Sequence, residues 1–127
     1  MIRELYQIEY VFKNASASVL WKLIGTASGL SEWFADDVDE SSDGILTFHW
    51  GKSSQEAVKL TAIPEKAAKY RWLDDDDKYY FEFKISKSDL TKDIVLIITD
   101  FAEPSEKNSS IGLWNSQIEN MMRRSGM

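Results

Sequence analysis

The chain has 127 residues, 43% of them hydrophobic and 28% charged, with 21 acidic against 15 basic side chains, a net charge of −6 and no cysteine. This is the size and composition of one globular domain, spanning 1–127, which buries about two-thirds of the surface its unfolded chain exposes. It excludes disulfides, thiolate metal sites and a cysteine nucleophile, and the single histidine, His49, excludes a multi-histidine metal centre.

In chain order, Leu5 to Phe12 alternates with period two and reads as a first strand. Asn14-Ala15-Ser16 breaks it and offers helix caps, because short polar side chains accept from the free N–H groups of a first turn. Ala17 to Ile24 then predicts a short amphipathic helix with Val19, Leu20, Leu23 and Ile24 on its apolar face, ended by Gly25. Ser28-Gly29 reopens the chain. Leu30 to Phe34 predicts a second short helix, with Leu30, Trp33 and Phe34 on one face.

Strands follow. Asp36 to Glu40 is a polar edge segment and Ser41 to Gly44 a turn. Ile45 to Trp50 places Leu46, Phe48 and Trp50 opposite Ile45, Thr47 and His49. After a turn at Gly51 to Ser54, strands are expected at Ala57 to Ile63 and at Lys69 to Leu73, the latter with Tyr70 and Trp72 in phase. The run Asp74 to Asp77 is a solvated hairpin turn. Tyr79 to Ile85 carries Tyr79, Phe81, Phe83 and Ile85 in phase, and Asp93 to Phe101 is the most apolar strand. The connections are too short for crossover helices, so the sheet must be antiparallel. Asn108-Ser109-Ser110 supplies caps for a last helix through about Ser125, with Ile111, Trp114, Ile118, Met121 and Met122 on its apolar face. Its length of about 24 Å suits a helix lying across a sheet.

The segment from Val19 to Phe34, Val-Leu-Trp-Lys-Leu-Ile-Gly-Thr-Ala-Ser-Gly-Leu-Ser-Glu-Trp-Phe, resembles the START-like (SRPBCC, birch-pollen-allergen-like) superfamily. Within it, the segment is most similar to the branch related to the activator of the heat-shock chaperone ATPase. That branch carries a Trp in the first helix, then a Thr, a small loop and a Trp-Phe pair, and a Trp in the final helix, where Leu113-Trp114 stands here. The acidic stretch after Phe34 and the segment Ile98 to Pro104 are similar to a small START-like family of bacterial proteins. The resemblance spans nearly the whole chain. It implies an α+β helix-grip fold: a curved antiparallel sheet of about six to seven strands, two short helices after the first strand, and a long C-terminal helix across the sheet. In many members an apolar ligand lies between sheet and helix, whereas others have nearly closed interiors.

On that basis the expected function is non-enzymatic binding of a small hydrophobic molecule, a lipid or an aromatic compound. The candidate pocket residues are Trp33, Phe34, Phe48, Trp50, Trp72, Phe81, Phe83, Trp114, Ile118 and Met121. The same rings serve equally well as core, since aromatics dominate both settings. The alternative is therefore a protein-interaction or chaperone-linked module with a filled interior and a protein partner. No catalytic group, metal or cofactor is expected. His49 falls in the outward phase of its strand. The acidic run from Asp37 puts Ser42 and Phe48 where a calcium loop needs Gly and Glu. Basic residues are too sparse for nucleic acid. With no long apolar run, the chain is expected to insert in no membrane and to be cytoplasmic.

Overall fold

The computed structural model describes residues 2–13 and 15–127. Strands β1 (Glu4–Phe12), β2 (Asp37–Glu40), β3 (Ile45–Trp50), β4 (Ser53–Ile63), β5 (Ala67–Trp72), β6 (Phe81–Lys87) and β7 (Ile94–Ala102) form one sheet in the order β1-β7-β6-β5-β4-β3-β2. Every neighbouring pair is antiparallel. Helices α1 (Ala17–Gly25) and α2 (Ala27–Trp33) follow β1, and α3 (Lys107–Ser125) ends the chain after a 3-10 turn at Pro104–Glu106. This is the helix-grip arrangement. A bulge in β4 between Lys59 and Thr61 leaves Leu60 outside the ladder and exposed, which sharpens the curl of the sheet.

The alternation places Tyr6, Phe12, Leu46, Phe48, Tyr70, Phe81, Phe83, Ile94, Leu96 and Ile98 in the buried core beneath the helices. From above, α1 contributes Leu20, Leu23 and Ile24, α2 Leu30 and Trp33, and α3 Trp114, Ile118 and Met121. Val19, expected on the apolar face of α1, is exposed. Ile111 and Met122 are only half-buried, at the margins of the α3 stripe.

Several boundaries depart from expectation, each for a local reason. The Ser16 hydroxyl accepts from the Val19 N–H at 3.1 Å and caps α1, while Asn14 lies outside the described residues. Helix α2 starts at Ala27 rather than Leu30, because the Thr26 hydroxyl accepts from the Gly29 N–H at 3.0 Å. The turn after β3 is only Gly51-Lys52, with Trp50 opposite Ser53. Gly51, at φ 57°, supplies the left-handed residue of that tight hairpin, and β4 therefore begins four residues earlier than its apolar pattern. Tyr79 belongs to the turn before β6, with its N–H on the Asp76 carbonyl. Asn108-Ser109-Ser110 lies inside α3 and caps nothing. The helix starts at Lys107, on a Glu106 cap without a side-chain bond.

Candidate ligand cleft between the sheet and the C-terminal helix

The expected pocket residues come together. Trp33, Phe34, Phe48, Phe81, Phe83, Trp114, Ile118 and Met121 belong to one buried cluster, with Trp50 and Trp72 half-buried against it. Phe34, just past the end of α2, is the hub. Its ring centroid lies 5.4 Å from Phe48, 5.8 Å from Trp114, and 5.9 Å from both Trp50 and Phe81. Trp114 in turn meets Phe83 edge-on at 5.7 Å, and Trp72 lies 5.1 Å from Phe81. The offset and edge-to-face geometries are those that aromatic quadrupoles favour.

Within this cluster the residues divide into two groups. Phe48, Phe81, Phe83, Ile118 and Met121 are buried beneath neighbouring side chains and pack the interior. Phe34, Trp72 and Trp114 instead wall a cleft of about 190 Å³ together with Asp100, Ser110, Leu113 and Gln117. Trp33 and Trp50 face a second, more polar cleft of about 280 Å³ on the other side of Phe34, near Asp36 and Arg124.

The register explains where the apolar cleft opens. The β5–β6 pairing reaches only Tyr70↔Phe81, and the β6–β7 pairing only Glu82↔Thr99. Strands β5 and β7 both run past the start of β6, so Trp72 and Asp100 flank a gap at this end of the sheet. On the opposite face, Tyr79 and Tyr80 meet Phe101 edge-on at 5.2 and 5.0 Å.

Polar links hold α3 over the gap. The Trp114 indole N–H donates to Asp100 Oδ2 at 2.9 Å and the Tyr10 hydroxyl to Asn115 Oδ1 at 2.7 Å. Gln117 Nε2 and Asn120 Nδ2 donate to the carbonyls of Phe34 and Trp33 at 3.3 and 3.0 Å. Tyr6 and Ser110 share a short hydroxyl–hydroxyl hydrogen bond. Asp100 also accepts from the Phe101 N–H at 2.8 Å, and the Tyr6 hydroxyl approaches it at 3.5 Å. Burial pushes the Asp100 carboxyl above its ordinary range, while the bonds from Trp114, Phe101 and Tyr6 and the charge of Arg3 pull it back. Burial likewise raises Tyr6, and takes Tyr10 to about 12.

Sequence reasoning missed Asp100, Ser110, Leu113 and Gln117 as cleft residues. A signal existed for Asp100: it follows Ile94, Leu96 and Ile98 at steps of two, so a carboxylate stands in the inward phase of the most apolar strand. His49 meets Asp39 at 3.1 Å on β3 and β2, and lines neither cleft. In the acidic stretch, Asp36 accepts from the Gly51 N–H at 2.7 Å and Asp43 bonds Ser41. Among the described residues no three His, Cys, Asp or Glu side chains group as a metal site, and no helix is long and apolar enough to cross a membrane.

Three comparisons with known proteins bear on this arrangement. The START-like superfamily domain profile matches residues 2–126. The solution NMR structure of BfR322 from Bacteroides fragilis is similar at 38% identity and a TM-score of 0.71, over 98% of this chain and 92% of that one. The Aha1 dimer from Colwellia psychrerythraea (15% identity, TM-score 0.71, 95% and 93% covered) and protein MLL2253 from Mesorhizobium loti (14%, 0.73, 97% and 97%) share the fold. No curated protein matches the chain. A profile covering nearly every residue, the helix-grip topology and a relative at this level of identity agree: the chain belongs to the START-like superfamily.

Proposed function

We propose that the domain binds a small hydrophobic molecule in the cleft between the sheet and α3. The observation that carries this reading is the cleft itself, about 190 Å³ of space walled by the rings of Phe34, Trp72 and Trp114. Leu113 stands at its rim, 68% exposed. An apolar occupant would cover Leu113 and the open side of Trp72, and burial of apolar area is the general driving force for such binding. Size limits the ligand. An apolar cavity of about 150 Å³ holds one benzene ring, and drug-sized pockets begin at about 300 Å³. The occupant is thus a single ring system or a short acyl segment rather than a whole lipid, because Phe48, Phe81 and Phe83 already fill the deeper interior. START-like domains often bind hydrophobic ligands, which supports the same reading.

The packed interior also supports a second reading, a protein-interaction module that holds no ligand. One experiment separates them. The five tryptophans each give an indole N–H signal in nitrogen–proton NMR spectra, and the protein is titrated with 2-phenylethanol. Saturable shifts of the Trp72 and Trp114 signals, with Trp21 and Trp33 unmoved, are expected. If no indole signal moves up to the solubility limit, and natively purified protein carries no apolar molecule by mass spectrometry, the filled-module reading replaces this one.

A further inference from the structure

The cleft holds a charge that its apolar walls do not explain. Asp100 projects inward from β7, and the groups that bond it are all neutral: the Trp114 indole, the Phe101 amide and the Tyr6 hydroxyl. Among the described residues the ion pairs are Arg3–Asp75, His49–Asp39, Lys59–Glu40, Arg71–Asp77 and Lys84–Glu82, and none involves Asp100. A carboxylate has about four acceptor positions, so these three donors leave room for one more. Asp100 is half-buried at the cleft wall, and a carboxylate drawn out of water without a directly bonded cation carries a desolvation cost.

Resting on the small-ligand reading above, we propose that the occupant of the cleft is an organic cation, an ammonium group on a small apolar body, held by Asp100 and the rings of Trp72, Trp114 and Phe34. An ammonium near Asp100 makes a charge-assisted hydrogen bond, the strong kind. A cation seated over the face of an aromatic ring is also attracted by the ring quadrupole. Gln117 fits this chemistry: its amide N–H₂ is turned to the Phe34 carbonyl at 3.3 Å, which leaves its oxygen, an acceptor, for the ligand. The adjoining cleft shares Ser110 and Leu113 and adds Glu103 and Glu106, and its one cation, Arg3, is held by Asp75 at 2.6 Å. The local field therefore favours a cation and opposes a fatty acid or a phosphate ester, in line with the net charge of −6. Burial raises the proton affinity of Asp100 although its three hydrogen bonds and the more distant Arg3 charge lower it, and an ammonium in the cleft would relieve that cost.

The test uses three probes of one skeleton: 2-phenylethylammonium, 2-phenylethanol and 3-phenylpropionate, titrated at neutral pH and followed at the Trp72 and Trp114 indole signals. The ammonium is expected to bind about tenfold tighter than the alcohol, and the carboxylate more weakly than either. In Asp100→Asn, which keeps an oxygen acceptor for Trp114, the ammonium-to-alcohol affinity ratio is expected to fall to about one. The ranking in the unaltered protein, with loss of the ammonium preference at high salt, decides the matter even if that variant folds poorly. Equal binding of ammonium and alcohol overturns the cation and leaves the hydrophobic-ligand reading standing. An ammonium preference retained in Asp100→Asn also overturns it. No response to any probe overturns both.

Discussion

The hydroxyl of Tyr70 on β5 donates to the carbonyl of Ile24, near the C-terminus of α1, at 2.7 Å. A helix leaves its last four carbonyls without partners, and in α1 side chains supply all of them. Thr26 Oγ1 donates to Lys22 at 2.6 Å, Trp33 Nε1 to Leu23 at 2.8 Å, Tyr70 to Ile24, and Lys59 Nζ to Gly25 at 3.1 Å. The donors come from the α1–α2 junction, α2, β5 and β4. The end of α1 is thereby fastened to three other elements, and with it the chain leading to Phe34.

Tyr70→Phe removes one of these donors without changing the shape of the core. Tyr70 is wholly buried, so water has no access to replace it, and the Ile24 carbonyl is left unsatisfied. The expected cost is about 1–3 kcal/mol of stability with the fold retained. Burial also drives the Tyr70 hydroxyl well above its ordinary value, so it is protonated and a donor at neutral pH. Urea unfolding checks this, and a variant as stable as the parent contradicts it.

Gly29 carries a steric demand of another kind. A Cβ built there would lie 1.7 Å from the Lys22 carbonyl oxygen and 2.7 Å from the Leu23 Cα. Both obstacles are backbone, and the Lys22 carbonyl is itself bonded by Thr26, so neither can yield cheaply. Gly29→Ala is expected to cost about 3 kcal/mol or more, beyond ordinary overpacking. Within α2 the exchange would otherwise favour the helix by about 1 kcal/mol, so the sign of the measured change decides whether this close approach exists.

The strands were legible because half-buried sheets write their faces at period two, and Leu46-Phe48-Trp50 and Phe81-Phe83 do so plainly. The ends were less so. Strand β4 begins at the polar Ser53 because a two-residue turn at Gly51 dictates it, and Tyr79 matches the strand's phase while belonging to the turn. The expected pocket residues do share one interior, yet inward phase alone cannot separate a ring that fills from a ring that lines. That division depends on β6 starting short of Trp72 and Asp100, a fact of register between strands distant in sequence. Asp100 was the visible exception to its strand's pattern, and Leu113, beside Trp114, showed nothing that marked it as a rim.

Two ring deletions separate filling from lining. Phe83 is fully buried and touches Trp33, Tyr70, Phe81 and Trp114. Phe83→Ala should cost about 3–5 kcal/mol, a large share of the 5–15 kcal/mol typical of a domain. Trp72 is larger but half-buried, so Trp72→Ala should cost less while abolishing the response of the Trp114 indole to 2-phenylethanol. If Trp72→Ala is the more destabilising of the two, or leaves that response intact, Trp72 is core rather than cleft wall.

Burial raises the Asp100 carboxyl above its ordinary value of 3.8, and hydrogen bonds from Trp114, Phe101 and Tyr6, with the charge of Arg3, offset this only in part. The folded state therefore holds this proton more tightly than the unfolded state. Between the ordinary and the raised value, the folded protein binds more protons at this group, so its contribution to stability is full below 3.8 and declines as pH rises through the raised value. Asp100→Asn cannot ionise. The stability difference between parent and variant should thus shift in favour of Asn as pH climbs from about 3 to about 7. The other carboxylates titrate in both proteins and largely cancel in that difference. Urea unfolding across the range measures it. Titration of the Trp114 indole N–H signal, which senses its bond to Asp100 directly, should give an apparent pKa above the ordinary aspartate value. A difference flat with pH, or one moving towards the parent as pH rises, would mean that the hydrogen bonds and the Arg3 charge outweigh the burial of Asp100.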